Sequence, residues 1–269
     1  MRILICGKGG SGKSVLTALL TNCFTQKGFN VFVIDADGSN LGLALMLGVK
    51  HPKNTLLDCL GGRENILLKI SKNFEKQFLS GKPDFGSLGF VPLNMVTSSN
   101  GRITFLQLDK VLVGGEGCFC PAQIILEGFL SGLPKNKDNI VLVDMGAGVE
   151  FLGRSLSKGL VDLVLAVVDP TWDSIELTVR IQRMFKELGY NNFFAVLNKI
   201  QNLNMEDLLT SELEKRKVNV LGSVRYDPVI QISTLEGFTL KSSLAKEDIN
   251  NICKKLLMKD PTLEVKVRR

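Results

Sequence analysis

One histidine, His51, occurs in 269 residues, and it lies far from every motif, so it reads as a surface residue. Cysteine is scarce as well: six are too few for a disulfide scaffold and are expected as thiols in a reducing compartment. Cys6, Cys23, Cys59 and Cys253 stand singly among apolar neighbours, the usual setting of a small core residue. No run approaches the ~18 apolar residues that span a bilayer; the stretch Leu160–Val168 is already broken by Asp162. Met1–Gly7 lacks the charged leader, apolar core and small-residue cleavage site of a signal peptide, so a cytoplasmic location is expected. Acidic residues are in deficit, 27 against 33 Lys and Arg, for a net charge of +6. That excess is local. Residues 50–82 and 241–269 each carry +4, which leaves the rest of the chain at −2 and gives no reason to expect a nucleic-acid or membrane partner.

What is present is alternation. Apolar, β-branched runs occur at Arg2–Cys6, Val31–Ile34, Ile103–Leu108, Ile140–Val143, Leu163–Val168, Phe193–Leu197 and Val218–Ser223. Helical spacing occupies Lys13–Gln26, Ala122–Leu130, Ser174–Leu188 and Met205–Arg216, with closing helices over 228–235 and 242–258. Continuous apolar strands alternating with helices predict an α/β fold. The expected form is one doubly wound, mostly parallel sheet of seven to eight strands, with helices on both faces, in a single domain over 1–269. Residues 49–101 read as an insertion of short helices and loops, and 259–269 as a basic tail.

Chemistry is concentrated after the first strand. Gly7-Lys8-Gly9-Gly10-Ser11-Gly12-Lys13-Ser14 leaves a strand and opens a helix, the context in which G-x-x-x-x-G-K-[ST] binds phosphate. Backbone amides of Gly9, Gly10, Ser11 and Gly12, continuing to Val15, form the expected anion nest at a helix N-terminus. Lys13 reaches the β- and γ-phosphates, and the Ser14 hydroxyl ligates Mg2+. The second strand ends in Asp35-Ala36-Asp37, where open α/β sheets bind ligands, and Asp144 closes the strand Ile140–Val143 in the manner of a Walker B acid. Gly146-Ala147-Gly148 follows it as a candidate switch loop. Asn198-Lys199-Ile200-Gln201 lacks the acid of the guanine-specific N-K-x-D pattern, which favours ATP over GTP.

The lysine ahead of the glycines makes this loop K-G-G-x-G-K-S, and the chain thereby resembles the deviant-Walker ATPases that include MinD, ParA and the nitrogenase iron protein. The resemblance implies an ATP-hydrolysing homodimer in which Lys8 reaches the partner's nucleotide. It also implies that Asp37 positions or deprotonates the attacking water and that Asp35 supports the Mg2+ shell. Asn198 would meet the adenine edge, and Arg225, standing where relatives carry proline, would lie beside the base.

Gly117-Cys118-Phe119-Cys120-Pro121 narrows the resemblance. Two thiols two residues apart supply half of a four-ligand soft-metal site, and a two-fold dimer would complete it. With Ala147–Arg154 and Val168–Ile175, this segment is similar to the CooC-type ATPases, which support nickel insertion into carbon-monoxide dehydrogenase. The implied cofactors are ATP or ADP, Mg2+, and Ni2+ or Zn2+ at Cys118 and Cys120 across the dimer. The implied partner is a nickel-containing client enzyme. The competing readings are an electron donor with a bridging [4Fe–4S] cluster and a partition or positioning ATPase.

Overall fold

The computed structural model describes residues 1–39, 41–62, 95–98, 100–110, 120–133, 137–149 and 158–260. Its centre is β1 (Arg2–Gly7), buried along its whole length between β5 (Asn139–Met145) and β6 (Leu163–Val168). Beyond them lie β2 (Asn30–Ala36), β4 (Ile103–Gln107) and β3 (Met95–Thr97) on one side, and β7 (Phe193–Ile200) and β8 (Val220–Arg225) on the other. The order β3-β4-β2-β5-β1-β6-β7-β8 is parallel throughout except for the antiparallel edge strand β3. Among the described residues eight strands therefore form, and β3 rises from within the 49–101 segment, for which the sequence predicts short helices and loops. Three residues on a sheet edge are too few to show a strand period in sequence.

Strand pleating sends alternate side chains to opposite faces, which is why these strands are apolar at every position. Ile3 and Ile5 point into one core with Val31, Val33, Ile140 and Leu142. Leu4 and Cys6 point into the other with Ile34, Val141 and Val143. The first core is covered by α1 (Lys13–Gln26), α2 (Leu43–Leu47) and the closing helix α8 (Ala245–Met258). The second is covered by α3 (Leu56–Cys59), α4 (Cys120–Gly132), α5 (Trp172–Glu187) and α6 (Leu203–Lys215). Phe24, Phe129 and Phe185 are fully buried anchors of these layers, each worth about 1.5–3 kcal/mol of apolar transfer. The short helix α7 (Pro228–Glu236) sits at the carboxyl end of β8.

This topology positions the site. From β1 the chain crosses to β2 on one side and later enters β6 on the other, so ligands are expected at the carboxyl ends of β1, β2 and β5.

Candidate nucleotide site

Gly7 ends β1 with φ 142°, and a Cβ there would stand 2.5 Å from the Val167 carbonyl, so only glycine lets the chain leave the sheet here. Gly12, the N-cap of α1, is left-handed at φ 101°, and a Cβ on it would collide with the Asn198 amide. Between them the loop carbonyls are held from outside. Asn198 Nδ2 donates to the Ser11 carbonyl at 2.7 Å, and Lys199 Nζ donates to the Gly10 carbonyl at 2.7 Å. Lys13 Nζ, itself buried, donates to the Lys8 carbonyl at 3.2 Å. The Ser11 amide also donates to the Lys8 carbonyl at 3.2 Å, so it is the other loop amides that are left for an anion. Lys199 has φ 61°, unusual for a residue with a side chain. That turn delivers its ammonium to the loop.

At the carboxyl ends of β2 and β5, Asp35 and Asp144 are register partners on adjacent strands. Ser14 Oγ donates to Asp144 Oδ2 at 2.6 Å, while Asp144 Oδ1 is buried with no hydrogen-bond partner. Burial, then the nearby Asp35 charge, pushes the Asp144 carboxyl up to about 7 against the opposing pull of Ser14 and Lys13. An orphaned carboxylate oxygen beside a serine hydroxyl is a donor set that fits a divalent cation. Burial also raises Asp35, opposed chiefly by Lys110. Lys110 Nζ lies 2.9 Å from Asp35 Oδ2, with both side chains almost wholly buried at 4% and 1% exposure.

Sequence reasoning misses Lys110. A lone lysine after an apolar strand resembles any solvated strand end. The available signal is its position at the carboxyl end of β4, beside β2.

Asp37 is half-buried, and its Oδ1 accepts from the Ser39 amide at 3.0 Å and the Ser39 hydroxyl at 2.6 Å. Lys8 Nζ donates within its own chain to Thr171 Oγ1 at 3.1 Å. Thr171 also caps α5 and donates to Asp169 Oδ1 at 3.0 Å.

A cavity of about 640 Å³ opens beside the loop, lined by Lys13, Ser14, Asp37, Asn198, Tyr226 and Phe238 among others. Arg225 also borders it, although its Nε donates to Asp248 Oδ2 at 2.9 Å and its Nη2 to the Leu244 carbonyl at 2.9 Å. Asp227 is buried, which favours its neutral form, yet it lies below the usual carboxylate range. The amides of Ser243, Ala245 and Val229 all donate to it and outweigh burial. It thus ties α7 to the start of α8.

Cys118 lies outside the described residues, and Cys120 opens α4 with its side chain outside them. His51 is exposed. Among the described residues no group of three or more His, Cys, Asp or Glu is placed to hold a metal. No helix among them is long and apolar enough to cross a membrane.

The profile of the CobQ/CobB/MinD/ParA nucleotide binding domain matches residues 3–239. An uncharacterized ATP-binding protein of Methanocaldococcus jannaschii is 38% identical, over 81% of this chain and 86% of its own. The carbon monoxide dehydrogenase accessory protein CooC of Rhodospirillum rubrum is 26% identical over 89% of each chain. Among solved structures, the septum site-determining protein MinD of Pyrococcus horikoshii, complexed with Mg-ADP, superposes with a TM-score of 0.71. It is 19% identical and covers 100% of this chain and 99% of its own, a likeness of fold.

Proposed function

The chain belongs to the CobQ/CobB/MinD/ParA nucleotide-binding family and is an ATPase of the MinD/ParA type, and from that premise we propose that it is a metallochaperone driven by ATP. In this reading two copies close around nucleotide, and the closure presents Cys118 and Cys120 of each to one Ni2+ or Zn2+ destined for a nickel-containing client enzyme. The observation that carries the proposal is C-x-C-P in a chain that aligns over 89% of its length with a carbon monoxide dehydrogenase accessory protein.

The residues of the loop divide the work. The amides of Gly9, Gly10, Gly12 and Val15 face phosphate, that of Ser11 joins them only by leaving the Lys8 carbonyl, and Lys13 spreads its charge over the β- and γ-oxygens. Ser14 would ligate Mg2+ and Asp144 would hold it through water, and the ion would neutralise phosphate charge. Asp37 orients the attacking water. Lys8 leaves Thr171 to reach the partner's nucleotide and stabilises charge that develops in the transition state. Asn198 and Arg225 both line the cavity, and the family resemblance would set them beside the base.

The test is anaerobic purification of the full chain, measuring Ni, Zn and Fe per chain and following dimer mass with and without ATP. Wild type is compared with Cys118→Ala/Cys120→Ala. The proposal expects about one metal per dimer, lost in the double variant. Metal content and metal-dependent dimerisation that survive the change would falsify it. A broad iron–sulfur absorption near ~400 nm would replace it with the electron-donor reading.

A further inference from the structure

Asp37 is gripped at both ends of its own backbone. Its amide donates to Asp35 Oδ1 at 3.2 Å, and its carbonyl accepts from Lys110 Nζ at 2.8 Å. Lys110 and Asp35 close the ring through their 2.9 Å ion pair. The strand below is paired: the Leu108 amide donates to the Asp35 carbonyl at 2.9 Å, continuing the β2–β4 pairing directly beneath the clamp. The Asp37 side chain projects toward Gly146, where a methyl group on that glycine would sit 3.8 Å from Oδ1.

We propose that Lys110 is a positioning residue for ATP hydrolysis, fixing the Asp37 carboxylate by holding the Asp37 carbonyl while Asp35 holds the Asp37 amide. This rests on the assignment of Asp37 to water orientation. It also gives Asp35 a task beyond the one expected of it, since both of its oxygens take part in the clamp. The chemistry requires a lysine. A single ammonium on a four-carbon stem meets a carboxylate and a carbonyl at once, whereas glutamine is one atom shorter and carries no charge. An ion pair that merely joined β2 to β4 would need no bond to the Asp37 carbonyl.

Two full-length variants test this. Lys110→Gln shortens the side chain by one atom and removes its charge, which withdraws the donor from the Asp37 carbonyl. Lys110→Met/Asp35→Asn removes the pair without leaving a lone buried charge, should the first variant fail to fold. Steady-state hydrolysis should show kcat down about 10- to 100-fold, the cost of an ångström-scale misplacement. KM for MgATP should stay within about threefold of wild type, since uniform binding is untouched. Amide hydrogen exchange should accelerate over residues 37–39 and not in β2. A folded variant with kcat near wild type, or with kcat intact and KM raised, overturns the proposal. So does unchanged exchange at 37–39. If wild type binds MgATP without turning it over, the hydrolytic reading of the site fails, and the exchange measurement still decides the clamp.

Discussion

At the scale of single residues, charge in the wrong medium dominates. Asp144 is fully buried, and its folded carboxyl sits near 7 while its ordinary value is 3.8. Between those values the folded protein binds more protons than the unfolded chain, so stability contributed here is greatest at low pH and is lost as pH rises toward 7. The loss is on the order of a few kcal/mol, with Asp35 adding in the same direction. We predict that the melting temperature of the chain in chelator falls from pH 5 to pH 7.5, and that Asp144→Asn flattens the slope. Excess MgADP should flatten it too, because a bound cation favours the ionised carboxylate. A wild-type slope of the opposite sign would dismiss the Asp144 account. Lys110→Met alone, which strands a buried carboxylate, should cost about 3–5 kcal/mol in denaturant melts. The carboxylates were legible because D-x-D and a strand-terminal Asp stand out in sequence. Lys110 was not, since its partner lies 75 residues away and only strand pairing brings them together.

At the scale of elements, the phosphate loop is less a free glycine coil than a strap pinned from β7. The bump that Gly12→Ala would make is on the Asn198 amide, and the left-handed φ adds strain. That variant should keep its fold by circular dichroism and lose nucleotide binding; ATP affinity near wild type would refute the pinned-strap account. The α5 cap is a second such element. Thr171 holds Lys8, and next to it Trp172, the sole tryptophan, is 59% exposed with the Arg216 guanidinium 4.8 Å from its ring. If Lys8 departs when nucleotide assembles the dimer, the indole environment changes. Tryptophan emission should therefore shift on adding MgATP to wild type and stay still in Lys8→Ala; equal shifts in both would sever the link. The helices and parallel strands were readable because burial on both faces leaves strands apolar at every position. The pinning was not, since an Asn-Lys pair after a strand reads equally well as base recognition.

At the scale of the molecule, strand order was beyond the sequence. That β5 inserts between β1 and β2 is set by pairings across more than a hundred residues, and no local pattern encodes it. The insertion matters, because it carries Asp144 to Ser14 and sets Asp35 opposite Asp144. In the proposed dimer the role of Lys8 depends on a second copy, and symmetry supplies a decisive measurement. In a two-fold dimer each site would take Asp37 from its own chain and Lys8 from the other. Lys8→Ala and Asp37→Ala should each be nearly inactive alone. Mixed in equal amounts, about half of the dimers pair one variant with the other, and each such dimer has one intact site of two. The mixture should therefore recover about a quarter of wild-type specific activity. If Lys8 instead served its own chain, every site in the mixed dimer would lack one of the two groups and the mixture would stay inactive. Recovery establishes the lysine in trans; its absence, with mixed dimers verified by mass, assigns Lys8 to the chain that carries it.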